Sequence, residues 1–142
     1  MPFNNDDYNS DNGMMTSIWG PSLWHFFHTI SFNYPVKPTK EQKEYYYNFV
    51  CTLGNILPCK YCRDNFPKNL KKAKFSKLVL KNRITFSKFV YRLHEIINDM
   101  LLKNKKCRLT YTQVRLRYEH FRSRCLEKTN SKPKKRKSIT KK

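Results

Sequence analysis

Glycine is scarce in this chain of 142 residues, which contains only 3. That scarcity argues against a glycine-rich phosphate loop and against a many-turned β-sandwich. Long apolar runs are missing too. None approaches the roughly 18–20 residues needed to cross a bilayer, so no transmembrane segment is expected. Residues 1–12 are polar and acidic rather than basic and then apolar, so no secretory signal is expected. Negative charge is also in short supply. Ten acidic side chains face 30 basic ones, giving a formal net charge of +20. Such an excess attracts anions, whether nucleic acid, acidic membrane, phosphate-bearing cofactors or thiolates, and says nothing about fold.

What is present suits one domain with a modest, aromatic-rich core. Hydrophobic residues make up 39% of the chain and aromatics 15%. The expected setting is soluble and intracellular, where 5 cysteines point to metal or redox chemistry rather than to a passive disulfide framework.

The patterning is helical throughout, with no internal repeat and no convincing strand. Residues 1–16 carry little apolar content and are expected to form a disordered arm. From Ser17, a plausible N-cap, Leu23, Phe27 and Ile30 make an apolar line. Gly20, Trp24 and His28 recur every four residues on an adjacent face. Pro21 falls in the first turn, and the helix stops near Asn33-Tyr34-Pro35. A second helix begins at Thr39, with an apolar stripe through Tyr46, Phe49, Val50, Leu53, Ile56 and Leu57, and Pro58 ends it. Cys59-Lys60-Tyr61-Cys62 opens a third helix toward Asn69, where the helix N-terminus favours a thiolate.

Residues 71–81 form a basic connection. Thr85 or Ser87 caps a fourth helix with the stripe Phe86, Phe89, Val90, Leu93, Ile96, Ile97, Met100 and Leu101. His94 and Asn98 lie one turn apart on its border, beside Tyr91. A last helix is expected over 112–127. Residues 128–142 are a Lys/Arg tail, expected to be disordered and free to touch nucleic acid or another acidic surface.

Cys59 and Cys62 fit two chemistries. One is a redox-active disulfide. The other is zinc, completed by two of Cys107, Cys125, His94 and His120. Structural zinc usually draws on two close-spaced pairs, whereas Cys107 and Cys125 are far apart with a helical pattern between them. That separation suits a disulfide tying a helix end to its own connection, contributing about 3 kcal/mol in the chain-entropy view. The spacing therefore favours redox over zinc. Trp24 with His28, and His94 with Asn98, each read alone as ordinary core or hydrogen-bonded residues.

Taken in order, the segments resemble one family. Trp19-Gly20-x-x-x-Trp24-x-x-x-His28, Cys59-x-x-Cys62, His94-x-x-x-Asn98-x-x-Leu101-x-Lys103 and the pair Cys107 and Cys125 are similar to the Erv/ALR family of FAD-linked sulfhydryl oxidases. The Leu-Pro-Cys-x-x-Cys-Arg context is most similar to the short forms encoded by large cytoplasmic DNA viruses. The resemblance covers residues 17–127 as one domain. It implies an all-α fold, a four-helix bundle plus a short fifth helix with FAD held at the bundle end, and no metal.

The resemblance also implies residue roles. Cys59 would be the outer sulfur that exchanges with substrate thiolate, and Cys62 the inner sulfur against the flavin. Gly20, Trp24, His28, Tyr91, His94, Asn98, Leu101, Lys103 and Tyr118 would line the FAD site, with Ile97 packing on it. Cys107 and Cys125 would be a structural disulfide. Electrons would pass from a protein dithiol through Cys59 and Cys62 to FAD and then to O2, giving H2O2. The implied partners are a small thioredoxin-like dithiol carrier, O2 and a second copy of the chain, in host cytoplasm or virion. Glu95 departs from the family pattern, which has Asn after the His. No cysteine pair lies in either terminal segment, and Cys51 is extra. A zinc-stabilised basic module that binds nucleic acid is the rival of a different class.

Overall fold

The computed structural model describes residues 4–123. Every regular element among them is helical: α1 (Asn5–Asn9), α2 (Thr16–Asn33), α3 (Lys40–Ile56), α4 (Lys60–Lys72), α5 (Arg83–Met100) and α6 (Tyr111–Glu119). The longest four, α2 to α5, form the bundle, with α2 packed on α5, α4 against both α3 and α5, and the short α6 laid along α2. The expected all-α architecture is therefore the observed one.

Sequence explains most boundaries. Thr39 caps α3 through a reciprocal box with Gln42, and Pro58 stops that helix just after Ile56. The apolar stripes of α3 and α5 enter one core, Val50, Leu53, Phe86, Phe89, Val90 and Leu93, together with Phe66 of α4. Ile56 is the exception in its stripe, since it stays exposed. Tyr34 is fully buried just past α2. Its hydroxyl donates to the Leu80 carbonyl at 2.7 Å, and its own carbonyl accepts from Arg83 Nε at 2.6 Å. The basic connection thus contains a 3-10 turn, Lys77–Leu80, that carries Val79 and Leu80 into the core and leaves Leu78 exposed.

Several expectations are corrected. Helix α2 starts at Thr16, so Pro21 lies inside it rather than in its first turn, and the Ser17 carbonyl loses the amide partner that proline cannot supply. The cap of α5 is Asn82, with Thr85 as the reciprocal partner three residues on, and not Thr85 or Ser87. Helix α6 is bounded by a Thr110–Gln113 box and ends at Glu119, because Arg122 folds back onto Glu119 and onto the Phe32 carbonyl. The expected disordered arm over 1–16 is instead, from Asn4, a short helix followed by a segment held across Pro58–Lys60. The rest of the expected last helix, including Cys125, and the basic tail lie outside the described residues.

Candidate functional site

Pro58 breaks the chain between α3 and α4 and leaves Cys59 in an extended conformation as the N-cap of α4. Its Sγ accepts from the Cys62 amide at 3.2 Å. Cys59 and Cys62 are joined in a disulfide, with Cα atoms 5.2 Å apart. Cys59 is nearly buried at 8% exposure, which limits how a thiol could reach it. An amide aimed at Sγ from the first turn of a helix stabilises a thiolate once the bond is opened.

The pair borders a cleft of about 910 Å³. Helix α2 brings Gly20, Trp24 and His28 to it, and α5 and its C-terminal turn bring Tyr91, His94, Ile97, Asn98, Leu101 and Lys103. Tyr118 closes a third side from α6. Every residue expected to line a cofactor site thus lies on this one cleft, although the two helices carry them more than 60 positions apart in sequence, as the His28 and His94 contact shows with its separation of 66.

The walls are flat and aromatic. Trp24 stacks on His94 with centroids 4.0 Å apart and planes within 6°. His28 Nε2 and His94 Nδ1 share a hydrogen bond of 2.9 Å. Tyr118 stacks on Phe32, and its hydroxyl is 3.0 Å from His25 Nδ1. Burial pushes the pKa of His28 down to about 4, helped by His25. Burial likewise pushes His94 down to about 3, with His28, Lys103 and Arg108 adding to the effect. Both imidazoles are therefore neutral at pH 7 and can offer hydrogen bonds without charge. His28 Nδ1 and Arg108 Nε are each buried with no hydrogen-bond partner among the described residues.

Other residues reach the cleft from outside the amphipathic stripes. Met14 comes from the N-terminal segment, Phe66 and Asn69 from α4, and Arg108 and Arg117 from the last third of the chain. Arg108 explains the departure at Glu95. Its guanidinium bonds Glu95 at 3.2 Å, Asp99 at 2.8 Å and the Lys103 carbonyl at 2.6 Å. Glu95 is also the acceptor for Asn98 Nδ2 at 3.5 Å. A carboxylate at 95 is thus balanced by a cation at 108, a pairing no single-helix pattern reveals.

Cys107 lies on the same cleft, while Cys125, its expected partner, is outside the described residues. Cys51 is exposed on α3 and away from the cleft lining. In the zinc reading the first two ligands are tied up in the disulfide, and Nδ1 of His94 is engaged by His28. Among the described residues no group of three His, Cys, Asp or Glu side chains could hold a metal ion. Among them, too, no helix is long and apolar enough to cross a membrane.

With the geometry in view, the comparisons with known proteins agree. The sequence profile described as the Erv1 / Alr family matches residues 21–136. A probable FAD-linked sulfhydryl oxidase of Acanthamoeba polyphaga mimivirus is 34% identical over 85 residues, which is 60% of this chain and 59% of that protein. The FAD-linked sulfhydryl oxidase ERV1 of Arabidopsis thaliana is 30% identical over 59% of this chain and 42% of its own length. The chain thus spans about half the length of the curated relatives it matches. Among solved structures, the FAD-binding domain of Erv1 from Saccharomyces cerevisiae superposes with a TM-score of 0.66 at 23% identity, covering 78% of this chain and 99% of that one. That likeness supports the fold.

Proposed function

The chain belongs to the Erv1/Alr family, and on that premise we propose that it is an FAD-dependent sulfhydryl oxidase forming disulfides in protein dithiols. The observation that carries the reading is the Cys59–Cys62 disulfide on an aromatic cleft whose lining gathers every expected cofactor residue.

The residues fit a flavin. An added Cβ on Gly20 would meet nothing within 4 Å, so the glycine leaves open space on the cleft wall. The Trp24–His94 stack supplies a flat face, buried His28 Nδ1 lacks a partner, and Lys103, Arg108 and Arg117 supply cations for a pyrophosphate. Gly20, Trp24, His28, Tyr91, His94, Asn98, Leu101, Lys103 and Tyr118 would hold the cofactor. When bound, FAD supplies the acceptor that takes an electron pair from the dithiol on to O2, giving H2O2.

The chain's own chemistry is thiol–disulfide exchange. A substrate thiolate attacks Cys59 Sγ, the Cys59–Cys62 bond breaks, and Cys62 leaves as a thiolate. A second substrate thiolate then attacks the substrate sulfur of the mixed disulfide and expels Cys59. The substrate loses two electrons and two protons. The electrons reside on the cysteine pair, whose Cys59 thiolate keeps the Cys62 amide as its donor.

A small thioredoxin-like dithiol protein is the inferred carrier, and host cytoplasm or virion the inferred setting. A homodimer belongs to the same reading. Phe26 and Ile56 are exposed apolar side chains on α2 and α3, and Phe26 meets Phe49 edge-on at 6.5 Å, so pairing of two copies would cover apolar surface. A structural Cys107–Cys125 disulfide is likewise inferred.

The test is direct. Purified protein should be yellow with a flavin absorbance band and should consume oxygen with dithiothreitol. Cys59→Ser and Cys62→Ser should each reduce oxygen consumption to background while the flavin band persists. A colourless protein, or full activity in either variant, sinks the mechanism.

A further inference from the structure

The positive charge of the chain is unevenly spread. Between Asp64 and Glu95 lie nine basic side chains and no acidic one. All but Arg83 are exposed, and among the described residues none of the nine forms an ion pair. Lys74, Lys77 and Lys81 stand on the connection between α4 and α5. Lys74 directly follows Ala73, the C-cap of α4, and has φ +57°. The Phe75 amide beside it reaches back to the Leu70 carbonyl at 3.0 Å. Helices that end this way usually place glycine at that position, because a Cβ strains the left-handed backbone. The chain thus keeps a cation where glycine would fit more easily.

Leu78 stands among these lysines, 82% exposed. A single exposed leucine needs no explanation by itself. The setting of Leu78 differs, because its turn is fixed from the inside. Val79 and Leu80, the next two residues, are buried in the core. The Val79 carbonyl accepts from Thr85 Oγ1 at 2.9 Å, and that of Leu80 from the Tyr34 hydroxyl at 2.7 Å. The Leu78 amide donates to Ser76 Oγ at 3.2 Å. A large apolar side chain is therefore held out in water on a firm turn bordered by lysines.

We propose that residues 74–81 are a docking surface for an anionic lipid bilayer. Leu78 enters the headgroup boundary, and Lys74, Lys77 and Lys81 meet the lipid phosphates and carboxylates around it. The charge selects an acidic surface, and the leucine selects one with an apolar interior. A nucleic acid offers the charge but no place for Leu78. It also gains no stacking here, since no aromatic side chain of residues 65–94 is exposed, and Lys77 and Lys88 lie over the rings of Tyr47 and Tyr111 at 5.7 and 5.6 Å. The chain lies on the bilayer rather than crossing it, in keeping with the lack of a membrane-spanning helix among the described residues. This surface adds to the proposed oxidase and does not rest on its activity.

The test floats the full chain on a density gradient with phosphatidylcholine vesicles containing about one-third phosphatidylserine. The wild type should rise with these vesicles and stay behind with phosphatidylcholine alone. Leu78→Ser keeps every charge and should weaken the partition about tenfold, through the lost burial of the leucine. Lys74→Gly should weaken it about fivefold, the worth of one lysine near an acidic surface. Glycine suits the backbone at 74, so the melting temperature of that variant should hold or rise, and its loss of binding does not come from misfolding.

Residues 128–142 keep their cations in both variants, so a basic tail acting alone would leave the partition unchanged. Failure to float with the acidic vesicles, equal flotation with neutral ones, or a partition that either variant leaves unchanged overturns the proposal. A labelled DNA duplex serves as the second probe, read by fluorescence anisotropy. Duplex binding that falls in Lys74→Gly, with vesicle flotation untouched by Leu78→Ser, would assign the surface to nucleic acid and overturn the bilayer.

Discussion

His28 and His94 share one hydrogen bond in a buried place, and both have depressed pKa values, about 4 and about 3. Each binds a proton more readily in the unfolded chain, where its pKa is about 6.5. Their contribution to stability is therefore complete above pH 6.5 and is lost as pH falls toward the folded values. Asp64, Asp99 and Glu119 also have lowered pKa values, through hydrogen bonds from Lys60, Arg108 and Arg122 respectively, but they titrate in the more acidic carboxylate range. The expected outcome is a melting temperature that declines between pH 6.5 and 5 in the wild type and declines less in His94→Gln. An equal decline in both would remove the histidine pair as the cause. His28→Ala and His94→Ala should each weaken flavin retention by about fivefold or more, the worth of a lost hydrogen bond plus contact. The readout is the flavin-to-protein absorbance ratio after dialysis. The helical spacing of Trp24 and His28, and of His94 and Asn98, puts each pair on one face but alone reads as ordinary core, and it was the family resemblance that singled these residues out. Arg108 left no such mark, because it acts through Glu95 and Asp99 from a turn beyond the helix that carries them.

At the scale of elements, α3 and α4 are held at close range by Gly54. An added Cβ there would lie 2.6 Å from the buried ring of Phe66, itself part of the cleft wall. Alanine would gain about 1 kcal/mol in helix propensity over glycine. Overpacking a rigid buried ring costs about 1–3 kcal/mol, so the clash should win. Gly54→Ala should lower the melting temperature and loosen the flavin, as a thermal melt with and without added FAD would show, and a more stable variant would mean that the two helices can part freely. Helices α2 to α5 were legible in the sequence because amphipathic stripes and caps such as Thr39 report them locally. The N-terminal segment was not, because Met14 and Asn12 are fixed by backbone bonds to Pro58 and Lys60 and Asp11 by its carboxylate to Arg63, and polar composition alone reads as disorder. The end of α6 escaped for a related reason, since Arg122 reaches the Phe32 carbonyl on a helix distant in sequence.

At the scale of the molecule, the formal charge of +20 bears on how a macromolecular dithiol arrives. The two cations beside the redox pair are already engaged, Lys60 with Asp64 at 2.8 Å and Arg63 with Asp11 at 2.7 Å. Attraction of an acidic partner must then come from the summed field of the chain rather than from those two side chains alone. Such a field speeds encounter and is screened by salt, because the Debye length falls from about 10 Å at 0.1 M to about 3 Å at 1 M. Turnover of an acidic protein dithiol should therefore drop as ionic strength rises, with the loss in kcat/KM rather than in kcat, since salt acts on encounter and not on the exchange at Cys59. Dithiothreitol is neutral and should change little over the same range. Oxygen consumption measured with both substrates across a salt series distinguishes the two. Parallel declines would place the salt effect on the enzyme itself, and a flat response with the protein dithiol would show that its approach owes nothing to the basic surface.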